Sequence, residues 1–318
     1  ASKLTAWAWI KNRDADDSHI LVDRNRGVGK TVTTDTTTTT PETTDTDTVQ
    51  RFLQRGVQIG SDVQVNTANE SYVLWQWLVG DSATTGTTNE SGSLDSTVIA
   101  ADAGHFSVVS WTGNETAGAT VGHGMGGTPE FIIAIARAES GQNKPIFHVD
   151  AVTSDTRHIK INQANMGTAG TTIWDVSAMS STVFGVGAAA QSNSTNGMIA
   201  YCFRSVPGVC KIGSYIGNGD DDGPYVAVGF LPRWIFIKNY SADQNWMLWD
   251  TARSPYNELN NNLWADLDSG ESTSSTYARD ILSDGFKLRG THAIQNANTN
   301  NYLYIAMEDL GGNGTLPP

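Results

Sequence analysis

The sequence predicts an all-β chain of tandem β-sandwich domains, jelly-roll or lectin-like in build. Three observations predict it. Apolar runs are short, rich in Ile, Val, Tyr and Trp, and bounded by Gly, Asn, Asp and Pro, which is how strands and turns read. Long stretches with apolar residues every 3.6 positions, the mark of an amphipathic helix, are missing. The sequence also repeats itself. Residues 106–114 read against 210–218, 129–136 against 232–239, and 198–203 against 302–307, at offsets of 103 or 104 residues. A period that long is a domain, not a solenoid coil or propeller blade.

The first region carries the same unit cut short. Trp7-Ala-Trp-Ile-Lys-Asn12 matches Trp234-Ile-Phe-Ile-Lys-Asn239, and Tyr72-Val-Leu-Trp-Gln-Trp77 matches the other closing strands. Asp23 follows an apolar run, as do Asp150 and Asp250. Only six residues precede Trp7, so its opening strand is expected to be absent from this chain. A sandwich without that strand exposes an edge and part of an apolar face. The first expectation is that a strand from another subunit completes it. A preceding segment outside this sequence, or residues 93–103 folding back, would also serve.

The predicted organisation follows. A truncated first repeat spans 1–80, with a Thr-rich loop at 31–48 that holds 12 Thr in 18 residues. A linker spans 81–104. The second repeat spans 105–208, the third 209–310, and a tail covers 311–318. In the closing strands one face is bulky: Val73, Trp75 and Trp77; Ile199, Tyr201 and Phe203; Leu303, Ile305 and Met307. A period of two with one bulky face places the sheet on a core. Runs such as 131–136 and 234–237 are apolar on both faces and read as inner strands. Residues 257–266 and 279–282 are each expected to form a helical turn.

Bulk properties narrow the partners. The 318 residues carry a net charge of −13, which repels phosphate backbones, so no nucleic-acid partner is expected. No apolar run reaches the 18 residues of a membrane span, and no signal peptide is visible. The first residue is not Met, which suits a processed chain or one that begins part-way through a longer polypeptide. Cys202 and Cys210 are too few for a disulfide framework and read as separate reduced thiols.

Few motifs carry chemistry. Gly27-Val-Gly-Lys-Thr31 resembles the end of a phosphate loop, but Arg24 stands where that loop needs Gly. In the loop at 218–223, Asn218, Asp220 and Asp222 place oxygens at alternate positions before a Gly, like the first half of a calcium loop. They are the candidate cation site, with calcium the candidate ion. A solvated acidic turn is the competing reading. His123 has no metal-spaced companion. His148 and Asp150 lie two apart on a strand and could touch; the matching position in the third repeat reads as Leu248, which suits a packing slot. No Gly-x-Ser-x-Gly elbow or paired carboxylates stand out, so no catalytic residue is assigned and no enzyme is expected. Most Trp residues sit at repeat anchors; Trp174 and Trp264 are the better surface candidates for sugar binding.

Five phrases carry a likeness: Ile10-Lys-Asn-Arg-Asp14, Val121-Gly-His-Gly124, Gly213-Ser-Tyr-Ile-Gly-Asn218, Trp249-Asp-Thr-Ala-Arg-Ser-Pro-Tyr256 and Ser283-Asp-Gly-Phe-Lys-Leu288. In these the chain resembles a repeated β-domain of structural proteins of tailed bacteriophages, notably those of marine bacteria. The Thr tract and the short first repeat depart from that pattern. The resemblance implies a non-enzymatic virion protein, a tail or capsid appendage on the particle surface. Its expected partners are other virion proteins, copies of itself (a trimer first) and a host-surface glycan. The alternative is a carbohydrate-binding module array of a cell-surface or secreted protein.

Overall fold

The computed structural model describes residues 3–36, 41–80, 85–168 and 171–308. The tail expected at 311–318 lies outside the described residues. The fold is all-β, and the helices among the described residues are single turns between strands. The first segment holds β1 (Lys3–Asn12), β2 (Ile20–Asp23), β3 (Lys30–Thr33), β4 (Glu42–Thr44), β5 (Val49–Leu53), β6 (Gly56–Ile59) and β7 (Tyr72–Gly80). The second holds β8 (Thr87–Asn89), β9 (Ser96–Ala100), β10 (Phe106–Trp111), β11 (Ala119–Gly122), β12 (Phe131–Ala136), β13 (Pro145–His148), β14 (Arg157–Lys160), β15 (Met166–Thr168), β16 (Trp174–Asp175), β17 (Val183–Val186) and β18 (Met198–Phe203). The third holds β19 (Cys210–Ile216), β20 (Asp222–Ala227), β21 (Trp234–Asn239), β22 (Met247–Asp250), β23 (Asn261–Trp264), β24 (Ser272–Thr273), β25 (Arg279–Leu282), β26 (Gly285–Arg289) and β27 (Asn301–Met307).

One strand order recurs. The large sheets run β4-β3-β2-β1-β7, then β15-β14-β13-β12-β18-β10-β9-β8, then β24-β23-β22-β21-β27-β19. Each has a four-strand meander, with the closing strand beside the meander's first strand. Register agrees as well: Trp7 faces Trp77, Phe131 faces Phe203, and Trp234 faces Met307. A smaller sheet accompanies each: β5-β6, β11-β17-β16 and β20-β26-β25. The spacing of bulky residues explains these layers. In the third segment Val226, Phe286 and Leu288 of the small sheet pack on Ile235, Ile237, Trp249 and Tyr304 of the large one. In the first, Phe52 and Val57 of the β5-β6 hairpin cover Ile10, Ile20 and Val22.

The chain divides into two compact units, residues 1–204 with 265–270, and residues 205–264 with 271–318. The first two segments therefore share one unit. Within it, their large sheets meet through aromatic rings. Trp7 stacks on Trp77 and on Tyr201, each at 4.0 Å between centroids, with Phe106 at 6.0 Å. Asn25 Nδ2 donates to the carbonyls of Thr97 (2.8 Å) and Val108 (2.9 Å), tying the same two segments.

Several expectations change. The linker at 81–104 contains β8 and β9, which extend the second sheet beyond β10, because the Thr97-Val-Ile-Ala run pairs with β10. Residues 93–103 therefore do not fold back on β7. The apolar face of the first repeat is covered within the chain: Trp7 and Trp9 are fully buried, and Trp75 and Trp77 are 6–7% exposed. Among the described residues β7 is the last strand of its sheet. The Thr tract supplies β3 and β4, with Val32 as its buried apolar anchor and Thr31 and Thr34 buried beside it. Residues 37–40 of that tract lie outside the described residues. The helical turn expected at 279–282 is instead β25, and the one expected at 257–266 gives way to β23 at Asn261–Trp264, where β-sheet partners override local propensity.

Candidate functional site

A polar cleft of about 500 Å³ opens in the first unit. Lys30, Glu42 and Thr44 line it from β3 and β4. Thr112 comes from the end of β10, Arg137 from the end of β12, and Thr195 and Asn196 from the turn before β18. The strand ends bring these groups together because β12 ends and β18 begins beside β4. Glu42 N donates to the Arg137 carbonyl at 2.9 Å. In return Arg137 grips the Glu42 carboxylate with two bonds, Nε–Oε2 at 2.8 Å and Nη2–Oε1 at 2.9 Å. Arg26 approaches the same carboxylate at 3.4 Å. Burial opposes ionisation of Glu42, but the Arg137 hydrogen bonds and the Arg26 charge outweigh it and hold its pKa below the usual range. Lys30 Nζ donates to Thr44 Oγ1 at 2.6 Å. The cleft thus offers hydroxyl, amide and ammonium groups to a polar ligand, and its lining has no aromatic floor.

A second titratable cluster sits nearby in the same unit. Lys144 is almost wholly buried; its Nζ donates to Thr33 Oγ1 at 3.2 Å and to the Thr36 carbonyl at 2.6 Å. Burial pulls its pKa down to about 8, against the pull of Asp35. Burial pushes Asp35 up, while a 2.8 Å hydrogen bond from Ser18 works the other way. Lys144 thus ties the start of β13 to the end of β3 and the residues after it, while Asp35 Oδ1 is buried without a hydrogen-bond partner among the described residues.

The strongest recurring constellation is structural. Arg26 Nε bonds Asp23 Oδ2 at 2.6 Å, and its Nη2 reaches the Leu21 carbonyl at 3.0 Å. Arg253 does the same with Asp250 at 2.5 Å and with the Leu248 carbonyl at 3.0 Å. Each arginine also meets a glutamate, Glu42 or Glu271. Gly27, at φ 90°, closes the first of these turns. Lys11 and Lys238 repeat another device: each Nζ caps the carbonyl of the next Asn, at 2.6 and 2.8 Å. The Asp-x-x-Arg spacing was visible in the sequence. The glutamates were not, since 16 and 18 residues separate them from their arginines.

The sequence-derived candidates resolve as follows. Asp220 N donates to Asn218 Oδ1, and Asp222 N donates to Asp220 Oδ1, so each side chain caps its own turn. Asp222 Oδ1 lies 3.0 Å from Lys287 and 3.1 Å from Arg289. Lys287 lowers the Asp222 pKa first, with Arg289 adding to it. A cation at this loop would have to displace both partners. Among the described residues no group of three His, Cys, Asp or Glu is placed to hold a metal. His148 pairs opposite Phe131, so it matches Asp23 and Asp250 rather than Leu248. Its Nδ1 accepts from the backbone N of Asp150 at 3.1 Å, and the Asp150 carboxylate is not the partner in that bond. His123 locks its own turn by accepting from Met125 N at 3.2 Å. Trp174 is fully buried, edge-on to Phe147, so it is no surface platform; Trp264 is half-buried against Tyr277.

Cys202 and Cys210 are both buried, and neither is in a disulfide. Burial pushes the Cys202 thiol well above its ordinary range. A thiolate is the reactive species, so the native protein is expected to resist a thiol reagent for hours and to react at two sites once unfolded in urea. Rapid labelling of the native chain would contradict this burial.

Histidine burial sets an acid limit. Burial lowers the pKa of His105, helped by Lys3 and Arg204, to about 4; burial lowers His158 to about 4, with Lys160 adding to it. Both are neutral in the folded chain down to that pH, whereas the unfolded chain protonates near 6.5. Stability contributed by the neutral rings is full above about pH 6.5 and is lost as pH falls towards 4. Urea midpoints measured from pH 7.5 to 4.5 are expected to fall, and His105→Gln and His158→Gln together to flatten that slope. An unchanged slope in the double variant would refute the assignment.

Sequence comparison now bears on this geometry. A family described as a domain of unknown function, DUF7483, matches residues 4–309. The chain belongs to that family. The match runs through all three segments, so the recurring strand order lies inside one family unit. Comparisons with curated proteins and with solved structures returned no match.

Proposed function

We propose that the chain is a non-enzymatic structural protein of a bacteriophage particle, a tail or capsid appendage exposed on its surface. One observation carries the reading: the phrases that resemble phage virion β-domains are spent on scaffold. Lys11 and Asn12 cap the end of β1. Asp250 and Arg253 form a buried latch. The Asp284 carbonyl accepts from Val228 N and Gly229 N, both at 2.9 Å, and pins the turn into β26. Extended sheets with polar, acidic exteriors keep large assemblies dispersed.

An antiserum against the purified chain is expected to decorate intact tailed particles at regular surface positions. Label found only on host debris would overturn the virion reading. Turnover of polysaccharide or peptidoglycan by the purified chain, abolished by one carboxylate substitution, would overturn the non-enzymatic one. The polar cleft favours a second reading, a glycan contact. Glycan binding lost in both Lys30→Ala and Asn196→Ala would support it.

A further inference from the structure

We propose that the polar cleft of the first unit binds a carboxylate-bearing sugar, a uronate unit of an acidic polysaccharide. The proposal rests on the glycan reading of that cleft and names its ligand class. The charges on the wall point to it. The chain as a whole is acidic, at −13. Yet of the three charged residues described on the wall, Lys30, Arg137 and Glu42, two are cations. The carboxylate is already spent. Arg137 takes both Glu42 oxygens, at 2.8 and 2.9 Å, and Arg26 lies 3.4 Å from one of them. The Glu42 side chain is 12% exposed, that of Arg137 32%. Glu139, bonded to the wall residue Asn196 at 2.7 Å, also accepts from Ser194 Oγ at 3.1 Å through the same oxygen.

Donors are left for a ligand. Lys30 Nζ carries three N–H groups and gives one to Thr44 Oγ1. Arg137 grips Glu42 through Nε and Nη2, so Nη1 stands outside that pair. Beside it lies Gly197, where a Cβ would start only 3.9 Å from Nη1. At φ 93° this position favours glycine, so the guanidinium stays uncovered. The Arg137 backbone is held on both sides. Its N donates to the Gly197 carbonyl, and its carbonyl accepts from Glu42 N, each at 2.9 Å. The cations are therefore placed before any ligand arrives.

Around them the wall is neutral and rich in hydroxyls: Thr44, Thr112, Thr195 and Asn196 are exposed. A sugar ring with one carboxylate complements this arrangement, the anion meeting Lys30 and Arg137 and the ring hydroxyls meeting the threonines. A neutral sugar has less to gain. The described lining offers no aromatic ring to stack on, and hydrogen bonds to charged groups are about twice as strong as neutral ones. The volume, about 500 Å³, falls within the roughly 300–1,000 Å³ of small-ligand sites.

Calorimetry on the full chain at low salt tests this with three probes: a short oligogalacturonate, the same oligomer with its carboxyls methyl-esterified, and acetate. The acid is expected to bind at least about tenfold more tightly than the ester, the worth of one charge-assisted bond, and to weaken as salt rises. Lys30→Gln is expected to abolish that advantage and Lys30→Arg to keep it. Ester binding as tight as the acid would leave the glycan reading standing and overturn this one. No binding of either oligomer would overturn both. An acid affinity unchanged in Lys30→Gln would place the anion elsewhere and overturn the proposal. Displacement of the oligomer by an equal concentration of acetate would do the same, by reducing the cleft to an unselective anion site.

Discussion

Replacing Trp7 by Ala is expected to destabilise the first unit by about 3–5 kcal/mol, the usual cost of truncating a buried aromatic. Trp7 has no exposed surface. Its ring lies between Trp77 and Tyr201, 4.0 Å from each and within 23° of parallel to both. The substitution removes the plate that joins the first segment's sheet to the second's. Neither neighbour can collapse into the gap, because Trp77 is fixed on β7 and Tyr201 is held by a 2.9 Å bond to Asp23. Domains of ordinary stability hold about 5–15 kcal/mol, so the loss is a large fraction of the total. Urea unfolding followed by near-ultraviolet circular dichroism measures it. Trp7→Phe keeps a ring in the stack and is expected to lose less than half as much. A Trp7→Ala midpoint within experimental error of the parent would show that the two sheets are not held together by this stack.

The sequence made the strands legible but not their neighbours. The Trp-x-x-Ile-Lys-Asn phrases revealed β1 and β21 as equivalents because the same residues do the same work: each Lys caps a carbonyl and each Asn ties down a loop. The equivalence of β7 with the other closing strands was readable from spacing alone, and among the described residues its one sheet neighbour is β1. The covering of its apolar face was not, since a sequence does not show which sheet packs on which; Trp7 meets Tyr201 across 194 residues. The Thr tract misled for a physical reason. Thr is β-branched and suits an edge strand as well as a loop, and one Val32 anchors it. The polar cleft was invisible because its Glu42–Arg137 bond joins residues 95 apart that no motif links.

Asp23→Ala is expected to cost the first unit about 3–5 kcal/mol, because it strands a buried guanidinium. Both side chains of the Asp23–Arg26 pair are fully buried. Asp23 Oδ2 also accepts from the Tyr201 hydroxyl, and its Oδ1 accepts from Arg26 N. Without the carboxylate, Arg26 keeps a carbonyl, the Tyr201 hydroxyl at 3.1 Å and a share of Glu42 at 3.4 Å. The tie to Asp23, strong enough to overcome burial, holds the Arg26 pKa above its ordinary value, so the residue stays charged and uncompensated. The equivalent change in the second unit, Asp250→Ala, is expected to cost less. There Arg253 retains Glu271 at 2.8 Å, a full partner rather than a shared one. Adding Arg26→Met to Asp23→Ala should restore much of the loss, since an apolar pair of similar volume escapes the penalty of an unpaired charge. Urea unfolding of the three variants against the parent decides the matter. If Asp23→Ala and the double variant lose equal stability, the pair's role is packing and not charge compensation.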